Sequence, residues 1–91
     1  MLLIRELIWD DWNEAHIARH KVSRDEAEEV CFGRSLGVRI RRDMYRLIGQ
    51  TGAGRYLVVI LAARGKTRFY VVTSRDATEA ERRRFRSWRG G

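Results

Sequence analysis

The stretch "YLVVILAA" at residues 56–63 carries no charge and is apolar at nearly every position. Strand side chains alternate between two faces, so a strand apolar throughout must be covered on both. Its strand, Arg55 to Ala62, is therefore central, and the flanking segments are read relative to it. "TGAG" at 51–54 and "RGKT" at 64–67 are tight turns on either side, leading to strands over Tyr45–Gln50 and Arg68–Ser74. Upstream, Leu36, Val38 and Ile40 alternate with Gly37, Arg39 and Arg41, the pattern of a half-buried strand with a basic outer face.

Helical signals bracket this four-stranded antiparallel meander. Asp10 or Asp11 offers an N-cap for a helix over about 12–20, with Glu14 three residues after Asp11. Ser23-Arg24-Asp25-Glu26 is a capping box for a second helix to about Phe32, with Ala27, Val30 and Cys31 on its apolar face and Gly33 as C-cap. Thr78-Glu79-Ala80-Glu81 opens a third helix, to about Trp88. Leu2 to Trp9 reads as a short extra strand. The order is two helices, a meander and a basic helix: a single α+β domain spanning residues 1–91.

Charge is divided unevenly. Residues 1–35 carry 5 Lys/Arg against 8 Asp/Glu, whereas residues 36–91 carry 14 against 4. Only Lys21 and Lys66 of the 19 basic residues are lysine. Arginine presents a planar fork that grips phosphate with two bonds and stacks on bases, so the excess points to a polyanion. No basic segment has the broad apolar face a membrane surface requires, and no apolar run nears a span. The opening "MLLIRELIWDD" is too short and too charged for a secretory signal. A lone cysteine, Cys31, suits a reducing cytoplasm and reads as a small buried apolar side chain.

The chemistry-bearing residues each have a plain alternative. Trp12, His16 and His20 repeat at helical spacing, but Ile17 stands where a zinc helix of the His-Glu-x-x-His type has glutamate. His20 is either a helix–sheet hydrogen-bonding residue or a proton carrier near a phosphate. "TGAGR" is followed by a strand rather than a helix and has no Lys-Ser/Thr, so it is a turn and not a phosphate loop. Arg64 and Arg75 end adjacent antiparallel strands and therefore lie at opposite edges of the sheet; Arg75 falls near the Arg55 end of the neighbouring strand. Arg75 is a phosphate ligand or the partner of Asp76 or Glu79. Glu81 is a cap or a general base. Arg82, Arg83, Arg84, Arg86 and Arg89 surround a helix whose buried stripe is Phe85 and Trp88, leaving several guanidiniums for phosphates.

Taken in order, "IWDDWNEAHIARHKVSRDEAEEV", "YRLIGQTGAGRYLVVILAARG" and "FYVVTSRDATEAERRRF" resemble the BrnT family of type II toxins over roughly residues 8–85. Lys21 stands where the family usually has glycine, and Phe85 where a tyrosine is common. The resemblance implies a RelE-like fold with helices packed on an antiparallel sheet. It also implies a cytoplasmic endoribonuclease that arrests growth by cutting RNA and is neutralised by a ribbon-helix-helix antitoxin of the BrnA type. A homo-oligomer or a toxin–antitoxin heterocomplex would both suit it. The match falls on His20, Arg75 and Glu81, which are given the catalytic roles, while Arg55, Arg64, Arg82, Arg83 and Arg86 are read as RNA-binding from their charge and placement. In-line attack by a 2′-hydroxyl needs a base, an acid and donors to the phosphorane, with no metal or other cofactor. A non-catalytic nucleic-acid-binding module, or a subunit whose basic half matches an acidic partner, fits the same composition.

Overall fold

In a computed structural model that describes residues 2–90, eight elements follow in order. They are β1 (Glu6–Ile8), α1 (Asp11–Ala18), α2 (Arg24–Phe32), β2 (Ser35–Arg41), β3 (Met44–Gln50), β4 (Tyr56–Ala63), β5 (Arg68–Asp76) and α3 (Glu79–Gly90). The strands form one sheet in the order β1-β5-β4-β3-β2. The meander β2 to β5 is antiparallel, and the class is α+β as the patterning predicts. The extra N-terminal strand is present but shorter than Leu2–Trp9. It pairs parallel to β5, so the whole sheet is mixed. Its partner lies some sixty residues away, a separation that local pattern cannot read.

The uncharged run does become a strand with both faces covered. Leu57, Val59 and Leu61 join the larger core beneath α1 and α2, with Ile17, Ala27, Val30, Leu47, Phe69 and Val71. Val58 faces the other way, into a smaller cluster with Ile48 and Phe85 of α3.

Caps set the helix positions. Asp10 caps α1 by accepting from the Asn13 backbone N–H at 2.8 Å, while the Asn13 side chain accepts from the Asp10 N–H at 2.9 Å. The expected pairing of Asp11 with Glu14 is not the one formed. Asn13 Nδ2 also donates to the carbonyls of Ile8 and Val71 at 3.0 Å each, pinning α1 across the β1–β5 seam. Helix α1 stops at Ala18 instead of about 20, because the Val22 N–H returns to the Ile17 carbonyl and the Lys21 N–H to that of Ala18. These are the paired bonds of a Schellman turn, with buried Val22 and Ile17 in its hydrophobic contact positions. The left-handed residue is Lys21, at φ 58°. Strand β2 departs from expectation: its apolar side is only half-buried, and Ile40 is 50% exposed, because α2 and α3 reach only part of this edge strand.

Candidate nucleic-acid interface

Strand β5 carries one extra residue opposite β4: Leu61 pairs with Val71, but Ile60 pairs with Thr73. This β-bulge switches the faces of everything beyond it. Phe69 and Val71 point into the α1/α2 core, and strict alternation would send Arg75 there as well. After the bulge Ser74 takes that face, buried and donating to the Val58 carbonyl at 2.8 Å, and Arg75 emerges on the α3 face opposite Val58.

There Arg75 meets Glu81. Its terminal nitrogens donate to the two carboxylate oxygens at 2.8 and 3.0 Å. The capping box also forms: Glu81 Oε1 accepts from the Thr78 N–H at 2.8 Å, and Thr78 Oγ1 accepts from the Glu81 N–H at 3.2 Å. Capping and pairing with Arg75 are therefore simultaneous. A third residue joins them, since Arg46 Nη1 lies 3.6 Å from Glu81 Oε2. The Glu81 side chain is only 11% exposed, against 38% for Arg75 and 29% for Arg46. Hydrogen bonding from Arg75, aided by the cap, holds the Glu81 carboxyl down at about 2. Two guanidiniums around one carboxylate leave a net positive charge on a sheet face that α3 only partly covers.

The other basic residues separate from this cluster. Arg55 donates from Nε to Asp76 at 2.9 Å and from its terminal nitrogens to Glu26 and to the carbonyls of Lys21 and His20. Its guanidinium is committed to protein groups and ties the α1–α2 turn and the start of α2 to the sheet. His20 belongs to that same clamp. Asp76 points opposite to its neighbour Arg75, so His20 and the Arg75–Glu81 pair lie on opposite faces of the sheet. Arg64 sits at the far end of β4, roughly 20 Å along the strand from the Arg75 register, with its guanidinium carbon 5.5 Å from the Tyr70 ring centre. Arg82 and Arg86 flank Tyr56, 5.0 and 5.8 Å from its ring centre, while Arg83 projects from α3 with its side chain 64% exposed. All three lean toward Glu79, the nearest carboxylate to them. Hydrogen bonding from Arg86, and then Arg89, lowers the Tyr56 phenol below its ordinary value.

Sequence reasoning missed Arg46 and Tyr56. A signal existed for Arg46, since it shares strand parity with Ile48; nothing along the chain shows that this face meets α3. Trp12 and His16 do stack, with ring centres 5.0 Å apart and planes 5° from parallel, and His20 meets His16 edge-on at 5.8 Å. Among the described residues no group of three or more His, Cys, Asp or Glu is placed to hold a metal. Among the same residues no helix is long and apolar enough to cross a membrane.

The fold and site together define a small basic α+β domain with two helices on one face of its sheet, one on the other, and an arginine–carboxylate cluster at the root of its last helix. No protein-family model matches the chain. No curated protein matches it in sequence. Among solved structures, that of the Brucella abortus ribonuclease toxin BrnT is similar, with a TM-score of 0.65 and 21% identity over 81% of this chain and 97% of that one. The two share a fold, in agreement with the resemblance noted in the sequence.

Proposed function

We propose that this protein is a ribonuclease toxin that cleaves RNA by in-line attack of a 2′-hydroxyl, with Arg75 and Arg46 as the paired donors to the scissile phosphate. The observation that carries this reading is the gathering of two guanidiniums by one carboxylate on a partly open sheet face, within a fold shared with a ribonuclease toxin. A phosphate entering this cluster competes with Glu81 for the guanidiniums. As it does so, the Glu81 carboxylate loses the partner that keeps its pKa low, gains an anionic neighbour, and becomes a better proton acceptor. Glu81 thus takes the 2′-hydroxyl proton as the P–O2′ bond forms and the P–O5′ bond breaks, the leaving 5′-oxygen is protonated by water, and His20, across the sheet, serves the α1–α2 turn. Arg82, Arg83 and Arg86 track the flanking backbone, and Tyr56 between two of them offers a stacking face. Arg64 lies too far along the sheet to share the scissile phosphate and would meet RNA only at a distance. The chemistry needs no metal. The partners are RNA and, in the cell, a cognate antitoxin of the ribbon-helix-helix type in the cytoplasm.

The test is cleavage of a mixed RNA in the presence of chelator. Wild type should shorten the RNA, Arg75→Ala and Arg46→Ala should each slow cleavage by about 100-fold, and His20→Ala should stay within about threefold of wild type. RNA retarded on a gel but left intact by the wild type would instead identify a binding module, and a requirement for added metal would reject the scheme.

A further inference from the structure

One concave recess stands apart from the arginine cluster. It lies on the α2 side of the sheet beside β2, with a volume of about 790 Å³. Leu2, Ile4, Leu36, Tyr45, Leu47 and, from α3, Trp88 supply its apolar lining, and Arg34 and Arg39 stand at its rim. It exists because α2 ends at Phe32 and covers β3 and β4 better than β2. Strand β2 is also the edge of the sheet, hydrogen-bonded only to β3, so one row of its backbone N–H and C=O groups is free. A long exposed edge beside an apolar recess is a template for another strand.

We propose that this groove is the docking site for an extended acidic and apolar segment of a partner protein, added to β2 as a sixth strand. Three observations select that occupant. The groove has no carboxylate among its lining residues, while Arg34 and Arg39 flank it and Arg41 and Arg42 follow along the same edge, so a negative strand is complementary. A second copy of this chain would set those arginines against their own images, which disfavours pairing of β2 with β2. RNA has no peptide backbone to pair with the free N–H and C=O row of β2, which an incoming protein strand satisfies. Gly37 fits the same picture: a Cβ there would have nothing within 4 Å, so the strand leaves room for a neighbour's side chain. Alternating residues of the incoming strand would place apolar side chains in the recess and carboxylates against the rim.

This inference does not depend on whether the chain cuts RNA, and its test is a binding measurement. The probe is a synthetic peptide alternating Glu with Leu and Val, titrated into isotope-labelled protein, with a Lys-for-Glu peptide as control. The Glu peptide should shift and protect backbone amides of residues 35–41 and bind at least about tenfold tighter than the Lys peptide. Arg34→Glu with Arg39→Glu should abolish that preference. Gly37→Trp, which fills the recess, should block binding while the melting temperature holds. Failure of the Glu peptide to bind, or equal binding of both peptides, overturns the proposal. So does a short single-stranded RNA that perturbs the same amides more tightly than the Glu peptide, or a dimer that the charge-reversed variant dissociates.

Discussion

Lys21 is the residue whose backbone is most at odds with its side chain. At φ 58° it holds the left-handed position of the turn closing α1, where a Cβ is unfavourable and glycine is not. Lys21→Gly should therefore raise stability, by about 1 kcal/mol in urea unfolding. Asn13 is the opposite case, a fully buried polar side chain with every bond made. Asn13→Ala leaves two buried carbonyls and the Asp10 N–H without their partner, and should cost about 3 kcal/mol by the same measurement. Glu81 makes stability depend on pH. Its folded value of about 2 lies below the ordinary 4.5, so its ionised form stabilises the fold above the unfolded value. That contribution fades as pH falls from near 4.5 toward 2. With Arg75 partly exposed and screened, it is on the order of 1–2 kcal/mol. Glu81→Gln should flatten the stability–pH curve across that interval, read by thermal melts at stepped pH.

The helices repeat one device. Glu26 and Glu81 each sit three residues after a Ser or Thr cap, accept from the cap's backbone N–H, and receive an arginine from a neighbouring strand. Arg55 enters from the start of β4 and Arg75 from the end of β5, at the same end of the sheet but on opposite faces. Every nitrogen of the Arg55 guanidinium already donates to a protein group, whereas Arg75 shares its carboxylate with Arg46. The two arginines should therefore respond differently. Arg55→Ala should destabilise the fold by about 2 kcal/mol through its unpaired partners, yet leave the salt dependence of RNA binding unchanged. Helix α3 is held to the sheet by Phe85, which is 2% exposed and packs with Ile48 and Val58. Phe85 thus fills a core position.

For the molecule as a whole, charge is the controlling quantity. Residues 36–91 carry 14 Lys/Arg against 4 Asp/Glu, an excess that the acidic first third offsets to a net +7, and Arg82, Arg83 and Arg86 of α3 share the single carboxylate of Glu79. RNA binding should weaken as salt rises, because each neutralised phosphate releases condensed counterions. Replacing Arg82, Arg83 and Arg86 together with alanine should lower the slope of log affinity against log salt by about 2, at roughly 0.7 per phosphate contact on a single strand. An unchanged slope in filter-binding assays would remove α3 from the RNA path.

Local pattern was enough to establish the strands of the meander, both capping boxes of α2 and α3, the two tight turns and the double-faced burial of β4. Each follows from residue period or from side chains reaching a backbone group three positions away. The end of α1 and the parallel edge strand escaped, the first through a lysine in a glycine conformation and the second through a distant partner. The site was legible in part: Arg75 and Glu81 could be named from the junction, but their bond and the presence of Arg46 could not. Those depend on a single unpaired residue in β5, which turns Arg75 out of the helix-covered core and onto the face where α3 lies. Side-chain parity along a strand is written in the chain only until a bulge resets it, and the bulge is a property of how β4 and β5 pair.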